Sequence, residues 1–241
     1  MTTASTHVPL VVIAGGSSAA GIATATSLVS AGMRVLTVGS DAGRIGAAAE
    51  LTGGAVPLVC DLTDAAAVTA LTEAIHAEYG PVDGLIHLVG GWRGGGDIPS
   101  QNDADWDFLH ASVLTTLRNT SRAFYQDLLA SPCGRLAIVS STSVTAPTAS
   151  NANYASIKAA AETWVQSVAQ GFAQEAAQRE GAEAAEASAA VVLVVKALVD
   201  DTMRARSPER TFPGFTDVAT LAQAVSGLFG TPGLNGSRII L

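Results

Sequence analysis

Tyr154 and Lys158 stand four residues apart in the segment Tyr154-Ala155-Ser156-Ile157-Lys158, which reads as the opening of a helix. At that spacing their side chains lie one above the other on one helical face. An ammonium beside a phenol favours the phenolate, lowers its pKa and eases proton exchange with a substrate oxygen near neutral pH. Ser141 closes an apolar run at residues 135–141, where its hydroxyl could hold the same oxygen. Such residues are ordinary one by one. They gain weight from a second feature at the other end of the chain.

That feature is the stretch from Leu10 to Ala23, where an apolar run passes through Gly15-Gly16-Ser17-Ser18-Ala19-Ala20-Gly21 and emerges as a helical pattern. It reads as a buried parallel strand turning into a helix. The unpaired N–H groups and positive dipole end of such a helix suit a diphosphate. Gly15 permits the sharp turn, Gly21 lets the helix lie close to the strand, and the small side chains between leave room for an anion. A glycine-rich surface loop is the plainer alternative. The position after a first strand and before an amphipathic helix argues against it.

The elements that must position these residues alternate regularly. Strands are expected at 34–38, 55–60, 82–89, 135–141, 189–195 and 236–241, with helices at 65–79, 103–130, from 156 towards 180, and from a Thr216-Asp217 cap to 229. In dinucleotide-binding units the tip of the second strand meets the adenosine ribose, where a carboxylate selects NAD and its absence admits the phosphate of NADP. Here that tip is Gly39-Ser40-Asp41 with Arg44 nearby. Ser40 or Arg44 could contact a 2′-phosphate, and Asp41 could instead curl back onto the ribose. NADP(H) is favoured over NAD(H). Asp61 is placed to bond an adenine amino group, although Asp61 or Asp64, with Thr63, could equally cap the next helix.

Five glycines surround Trp92 in Gly90-Gly91-Trp92-Arg93-Gly94-Gly95-Gly96, at the end of a parallel strand where ligands enter α/β sheets. Trp92 could stack on a flat substrate or cap the core under the loop. The segment after residue 195, with Asp200, Asp201, Thr202, Met203, Pro208 and Pro213, is a candidate lid. His76 and His110 read as surface or interface residues. Residues 174–188 are rich in Ala and Glu and read as helix with a polar end.

At 241 residues, 48% hydrophobic and 14% charged, the chain 1–241 reads as a single domain with little room for a disordered tail. A net charge of −8 without a basic cluster excludes electrostatic binding to nucleic acid. Cys60 and Cys133 lack the spacing of a metal or redox motif, so no metal is expected and a reducing cytoplasm is the natural home. No signal pattern and no apolar run of about 18 residues is present, so no membrane is expected.

Over essentially its whole length the chain resembles the short-chain dehydrogenase/reductase family, through the Gly15 to Gly21 turn, Asp61-Leu62, Ser141, and Tyr154 with Lys158. The resemblance implies a Rossmann-type, doubly wound parallel sheet of about seven strands flanked by helices. It also implies a nicotinamide cofactor, Tyr154 as general acid/base, Lys158 on the nicotinamide ribose and Ser141 orienting the carbonyl. Cofactor contacts are then expected from Gly15, Ser17, Ser18, Gly21, Ile22, Ser40, Asp61, Leu62, Val89, Gly90, Tyr154, Lys158 and Thr202, and substrate contacts from Trp92, Ser141 and Met203. A homodimer or homotetramer is expected, packed through the helices carrying Val113 and Lys158.

The chain departs from the family in four places. Ala19 replaces the middle glycine. His87-Leu88-Val89-Gly90 stands where the family has Asn-Asn-Ala-Gly, so an anchor of the central strands is missing. Val113 falls where an asparagine supports a proton-relay water, and Lys196-Ala197 replaces Pro-Gly. The glycine-rich turn, Gly90-Gly91-Trp92 and the Thr202-Met203 segment are similar to dihydropteridine reductases, although Gly39 stands where that branch has an aspartate. The expected activity is hydride transfer between a nicotinamide and a small carbonyl, imine or quinonoid substrate. The alternative is a catalytically impaired nucleotide-binding regulatory protein on the same fold. An S-adenosylmethionine methyltransferase explains the glycine turn but leaves Tyr154 and Lys158 without a task.

Overall fold

A computed structural model of the protein describes residues 7–178 and 188–241. Its centre is β1 (Leu10–Ala14), buried along its whole length. Successive side chains of a strand point to opposite faces, and a parallel sheet covered on both faces needs apolar residues on each. Accordingly Val11 and Ile13 enter one core while Leu10, Val12 and Ala14 enter the other.

β2 (Arg34–Gly39) and β4 (Gly84–His87) flank β1, and β3 (Val56–Val59) lies outside β2. β5 (Arg135–Ser141), β6 (Ala189–Val195) and β9 (Arg238–Ile240) complete a seven-stranded sheet in the order β3-β2-β1-β4-β5-β6-β9, with every pairing parallel. This is the Rossmann-type doubly wound sheet expected. The chain moves outward from β1 to β3 and then returns to β4, so a crevice opens above the carboxyl ends of β1 and β4, where this topology binds ligands.

Helices α1 (Ala19–Ser30) and α8 (Val218–Leu228) pack together on one face. The other face is covered by α3 (Ala65–Glu78), α5 (Thr116–Ala130) and α6 (Ala152–Gln178). Phe124 and Phe172, from α5 and α6, are among the largest fully buried side chains of that core. At the amino edge of the sheet, buried Asp83 accepts hydrogen bonds from Leu10 N–H at 2.8 Å and Ser131 Oγ at 2.6 Å, and pairs with His7. The Cys133 thiol joins this cluster within 4.8 Å, a grouping that spacing along the chain conceals.

Several local expectations are corrected. A helix, α2 (Ala42–Glu50), follows β2, and Asp41 is its cap, its carboxylate accepting from Arg44 N–H at 2.8 Å. Two internal glycines and few apolar residues hid its periodicity. The helix expected at 103–130 is interrupted: α4 (Asp103–Leu109) passes through a π-helical turn at His110–Thr115 before α5 begins. α6 starts at Ala152, ahead of Tyr154. Residues 179–187 of the Ala/Glu-rich stretch lie outside the described residues. β7 (Leu198–Val199) pairs with β8 (Thr216–Asp217) in a separate two-stranded sheet, enclosing α7 (Asp201–Arg206), so the expected lid contains structure of its own.

His76 is exposed and meets a carboxylate, Asp127, at 2.6 Å, although they lie 51 residues apart. Asp127 also accepts from Val82 N–H, which makes the pair a tie between α3, α5 and the start of β4. His110 is exposed. Among the described residues, no helix is long and apolar enough to cross a membrane.

Candidate active site

The turn after β1 is held by close approach of backbone to backbone. Gly15 has φ +87°, and a Cβ there would lie 2.9 Å from the backbone of Leu88 and Val89. At Gly21 a Cβ would lie 2.5 Å from the Gly15 carbonyl oxygen, so α1 can rest this close to β1 only without a side chain. Ser18 caps the helix, its Oγ accepting from Gly21 N–H at 3.0 Å and donating to Gly15 O at 2.9 Å. Together, glycine packing and the cap leave a short cradle of small residues at the positive end of α1.

Above the turn lies a cavity of about 480 Å³, lined by Gly15, Ser17, Ser18, Ser40, Asp61, Leu62, Val89 and Gly90, all expected there. Arg44 joins them, as do Phe108, Ser112 and Thr116 from α4, the π-helical turn and α5. The last three carry no motif, and only the packing of their helices brings them in. Ile22 is elsewhere: its N–H completes the first turn of α1 by bonding Ser18 O, and its side chain does not line this cavity. Asp64, not Asp61, caps α3. Asp61 accepts from Thr63 N–H and Oγ, and these bonds hold its carboxyl below the usual range.

A second cavity of about 450 Å³ is lined by Val89, Gly90, Trp92, Tyr154, Lys158 and Met203, with His87 and Ser140 added, whereas Ser141, expected among the substrate contacts, is buried and does not line it. Leu88, Val89 and Gly90 border both cavities, so the two are halves of one groove across the carboxyl end of β4. Trp92 is 59% exposed, so it overhangs the groove and does not cap the core. Met203 of α7 reaches the groove, whereas its neighbour Thr202 is exposed and does not line it.

Tyr154 is half-buried beside the buried Ser141 side chain, whose Oγ donates to Ser143 Oγ and accepts from Ser143 N–H, both at 3.1 Å. Lys158 is buried, with Nζ donating to Val139 O at 2.8 Å and lying 5.9 Å from the Tyr154 ring centre. Burial raises the Tyr154 phenol above its ordinary value, and the neighbouring Ser141 hydroxyl opposes this less strongly. The net direction is the reverse of the one expected from the neighbouring ammonium, because desolvation of the phenolate is the largest cause. Burial also brings Lys158 down to about 8, opposed by the charge of Glu162.

His87 corrects a further expectation, since the central strands do have an anchor. Its Nε2 lies 3.0 Å from Thr116 Oγ1, which ties β4 to α5. Complete burial, and secondarily the charge of Lys158, hold the imidazole down to about 3, so it is neutral at physiological pH. Val113 is buried within the π-helical turn and packs beside Gly90 and Lys158, where its side chain offers no hydrogen bond to a water.

The profile of the short chain dehydrogenase family matches residues 9–180, which span the glycine turn, Ser141, Tyr154 and Lys158. The chain belongs to the short-chain dehydrogenase family. This short-chain dehydrogenase is 29% identical over 151 residues to the 3-oxoacyl-(acyl-carrier-protein) reductase FabG of Salmonella typhimurium, and the match spans 62% of each chain. Among solved structures it is similar to a short-chain type dehydrogenase/reductase from Mycobacterium ulcerans, with a TM-score of 0.82 at 18% identity, covering 97% of this chain and 88% of that one. It is also similar to an NADPH-bound short chain oxidoreductase from Pseudomonas aeruginosa described as having an atypical catalytic center, with a TM-score of 0.80 at 21% identity, covering 97% and 95%.

Proposed function

We propose that this short-chain dehydrogenase is an NAD(P)-dependent reductase of a small carbonyl, imine or quinonoid substrate. The observation that carries the reading is one groove with the glycine-lined helix start in one half and Tyr154, beside Ser141 and backed by Lys158, in the other. Gly15, Ser17 and Ser18 would hold the diphosphate, Asp61 and Leu62 the adenine, and Val89 and Gly90 the stretch between the halves. Gly21 shapes the cradle without lining it. A bound nicotinamide supplies the hydride.

The protein's own residues handle the proton. Ser141 and Tyr154 would both hydrogen-bond the substrate oxygen, and the phenol, kept protonated by burial, is the form that reduction consumes. As the carbonyl carbon accepts a hydride, the oxygen takes the Tyr154 proton and the product leaves as an alcohol. Lys158 presents an ammonium to the ribose side of the groove and stabilises the phenolate left behind.

The outer wall is apolar, formed by Val139, Val195, Leu198, Met203 and Trp92, and suits a flat, uncharged molecule. Trp92→Ala should raise KM severalfold and leave the affinity for NADPH unchanged, checked by steady-state kinetics beside fluorescence titration. An unaltered KM would remove Trp92 from the substrate side.

NADP(H) is favoured because Ser40 and Arg44 line the adenosine half while Asp41 is occupied as a helix cap. The exposed Arg44 guanidinium, 3.7 Å from Asp41, is free to turn to a 2′-phosphate. Arg44→Ala should weaken NADPH roughly tenfold while barely moving NADH, since a hydrogen bond to a charged group contributes about 1.5–3 kcal/mol. Equal losses would point to NAD. The test of the whole reading is titration with both dinucleotides followed by a carbonyl and quinone panel with the tighter binder. Saturable binding without turnover would favour the regulatory alternative. A single domain over 1–241, a cytoplasmic homodimer or homotetramer, completes the proposal, with mass in solution as its check.

A further inference from the structure

Tyr154, Lys158 and Glu162 follow at four-residue intervals along α6 and therefore stand in one row on the face turned to β5. They meet three successive residues at the end of β5. Tyr154 lies beside Ser141, Lys158 Nζ donates to Val139 O, and Ser140 Oγ donates to Glu162 Oε1. The other Glu162 oxygen accepts from Arg238 Nε of β9 at 3.0 Å. The Glu162 side chain is only 13% exposed.

Burying a carboxylate costs free energy even when it is paired, so packing alone would be served better by an apolar residue here. The buried ammonium of Lys158 supplies a reason. From β4 it faces His87, which is neutral; from β5, the Val139 carbonyl and the Ser140 hydroxyl; from α6, Tyr154 and Glu162. Glu162 alone in this set is negative at neutral pH, and Arg238 draws on its charge from the far side. Given the assignment of Lys158 to the reaction, we propose that Glu162 is a positioning residue, holding Lys158 as an ammonium aimed at the groove and clamping α6 to β5 through Ser140.

The test needs no substrate. The chain contains two lysines, Lys158 and Lys196. Protein labelled with ¹³C at the lysine ε-carbons therefore gives two titrating NMR signals, assigned with Lys196→Arg. The wild-type Lys158 midpoint is expected at about 8. Glu162→Gln should lower it by about one unit, because the charge that opposes the effect of burial on Lys158 is then lost. Arg238→Gln should raise it, because Glu162 then acts on Lys158 undivided. Loosened packing would instead hydrate the lysine and move both variants upward. Glu162→Asp, with the charge on a shorter arm, should hold the midpoint within about half a unit of wild type and keeps the test open if the glutamine variant does not fold. A Lys158 midpoint unmoved or raised in Glu162→Gln, or lowered a full unit in Glu162→Asp, overturns the proposal. These shifts are read in the absence of turnover, so they can fail while the reductase assignment stands, and the reverse.

Discussion

Replacing Tyr154 with phenylalanine is expected to cut turnover by about 10²–10⁴-fold, the range a positioned general acid contributes, while cofactor affinity stays nearly intact. The substitution removes one oxygen and leaves the ring, so packing of α6 against β5 is preserved. Ser141 keeps its bonds to Ser143, at 3.1 Å to both N–H and Oγ, and so is not left with an unpaired hydroxyl. The dinucleotide cradle lies in the other half of the groove and does not depend on the phenol. Fluorescence titration with NADPH together with steady-state rates on an active substrate separates the two effects. Turnover within about tenfold of wild type would take Tyr154 out of the mechanism.

Gly21→Ala should produce the second large effect, on cofactor binding. Alanine is the better helix former by about 1 kcal/mol, so propensity alone predicts a more stable protein. The new methyl, however, would lie 2.5 Å from Gly15 O and 2.7 Å from Gly16 Cα and O, and none of these backbone atoms can rotate away. Overpacking of this kind costs about 1–3 kcal/mol, which cancels or exceeds the propensity gain. Propensity offers no compensation at the ligand, because relief of the clash pushes α1 away from the turn and opens the cradle. Affinity for the dinucleotide is therefore expected to fall by about tenfold or more, each 1.4 kcal/mol being a factor of ten. Thermal melting would shift by only a few degrees for a chain of this size. Unchanged affinity in the alanine variant would show that the close approach of α1 does not shape the binding site.

The strands were readable because a parallel sheet covered on both faces demands uninterrupted apolar runs, and Leu10–Ala14 and Ala189–Val195 are such runs. The glycine turn was readable for a related reason, since small residues between a strand and a helix have few other uses. Helix α2 is not legible in the sequence, because only Ile45, Ala48 and Ala49 are buried, too few to mark a face. The π-helical turn at His110–Thr115 is likewise invisible to periodicity, because one added residue per turn looks like noise in a helical pattern.

The chain by itself determined the alternation of elements, the helix start suited to a diphosphate and the pairing of Tyr154 with Lys158, because each depends on neighbours within a few residues. Only the tertiary structure decided which way the phenol shifts, since desolvation depends on what the whole fold packs around Tyr154. The same holds for His87, whose partner Thr116 is 29 residues away, and for Glu162, whose partner Arg238 is 76 residues away. Short-range geometry is carried by the order of residues, whereas burial and charge pairing across the sheet exist only once β4, β5, α6 and β9 have met.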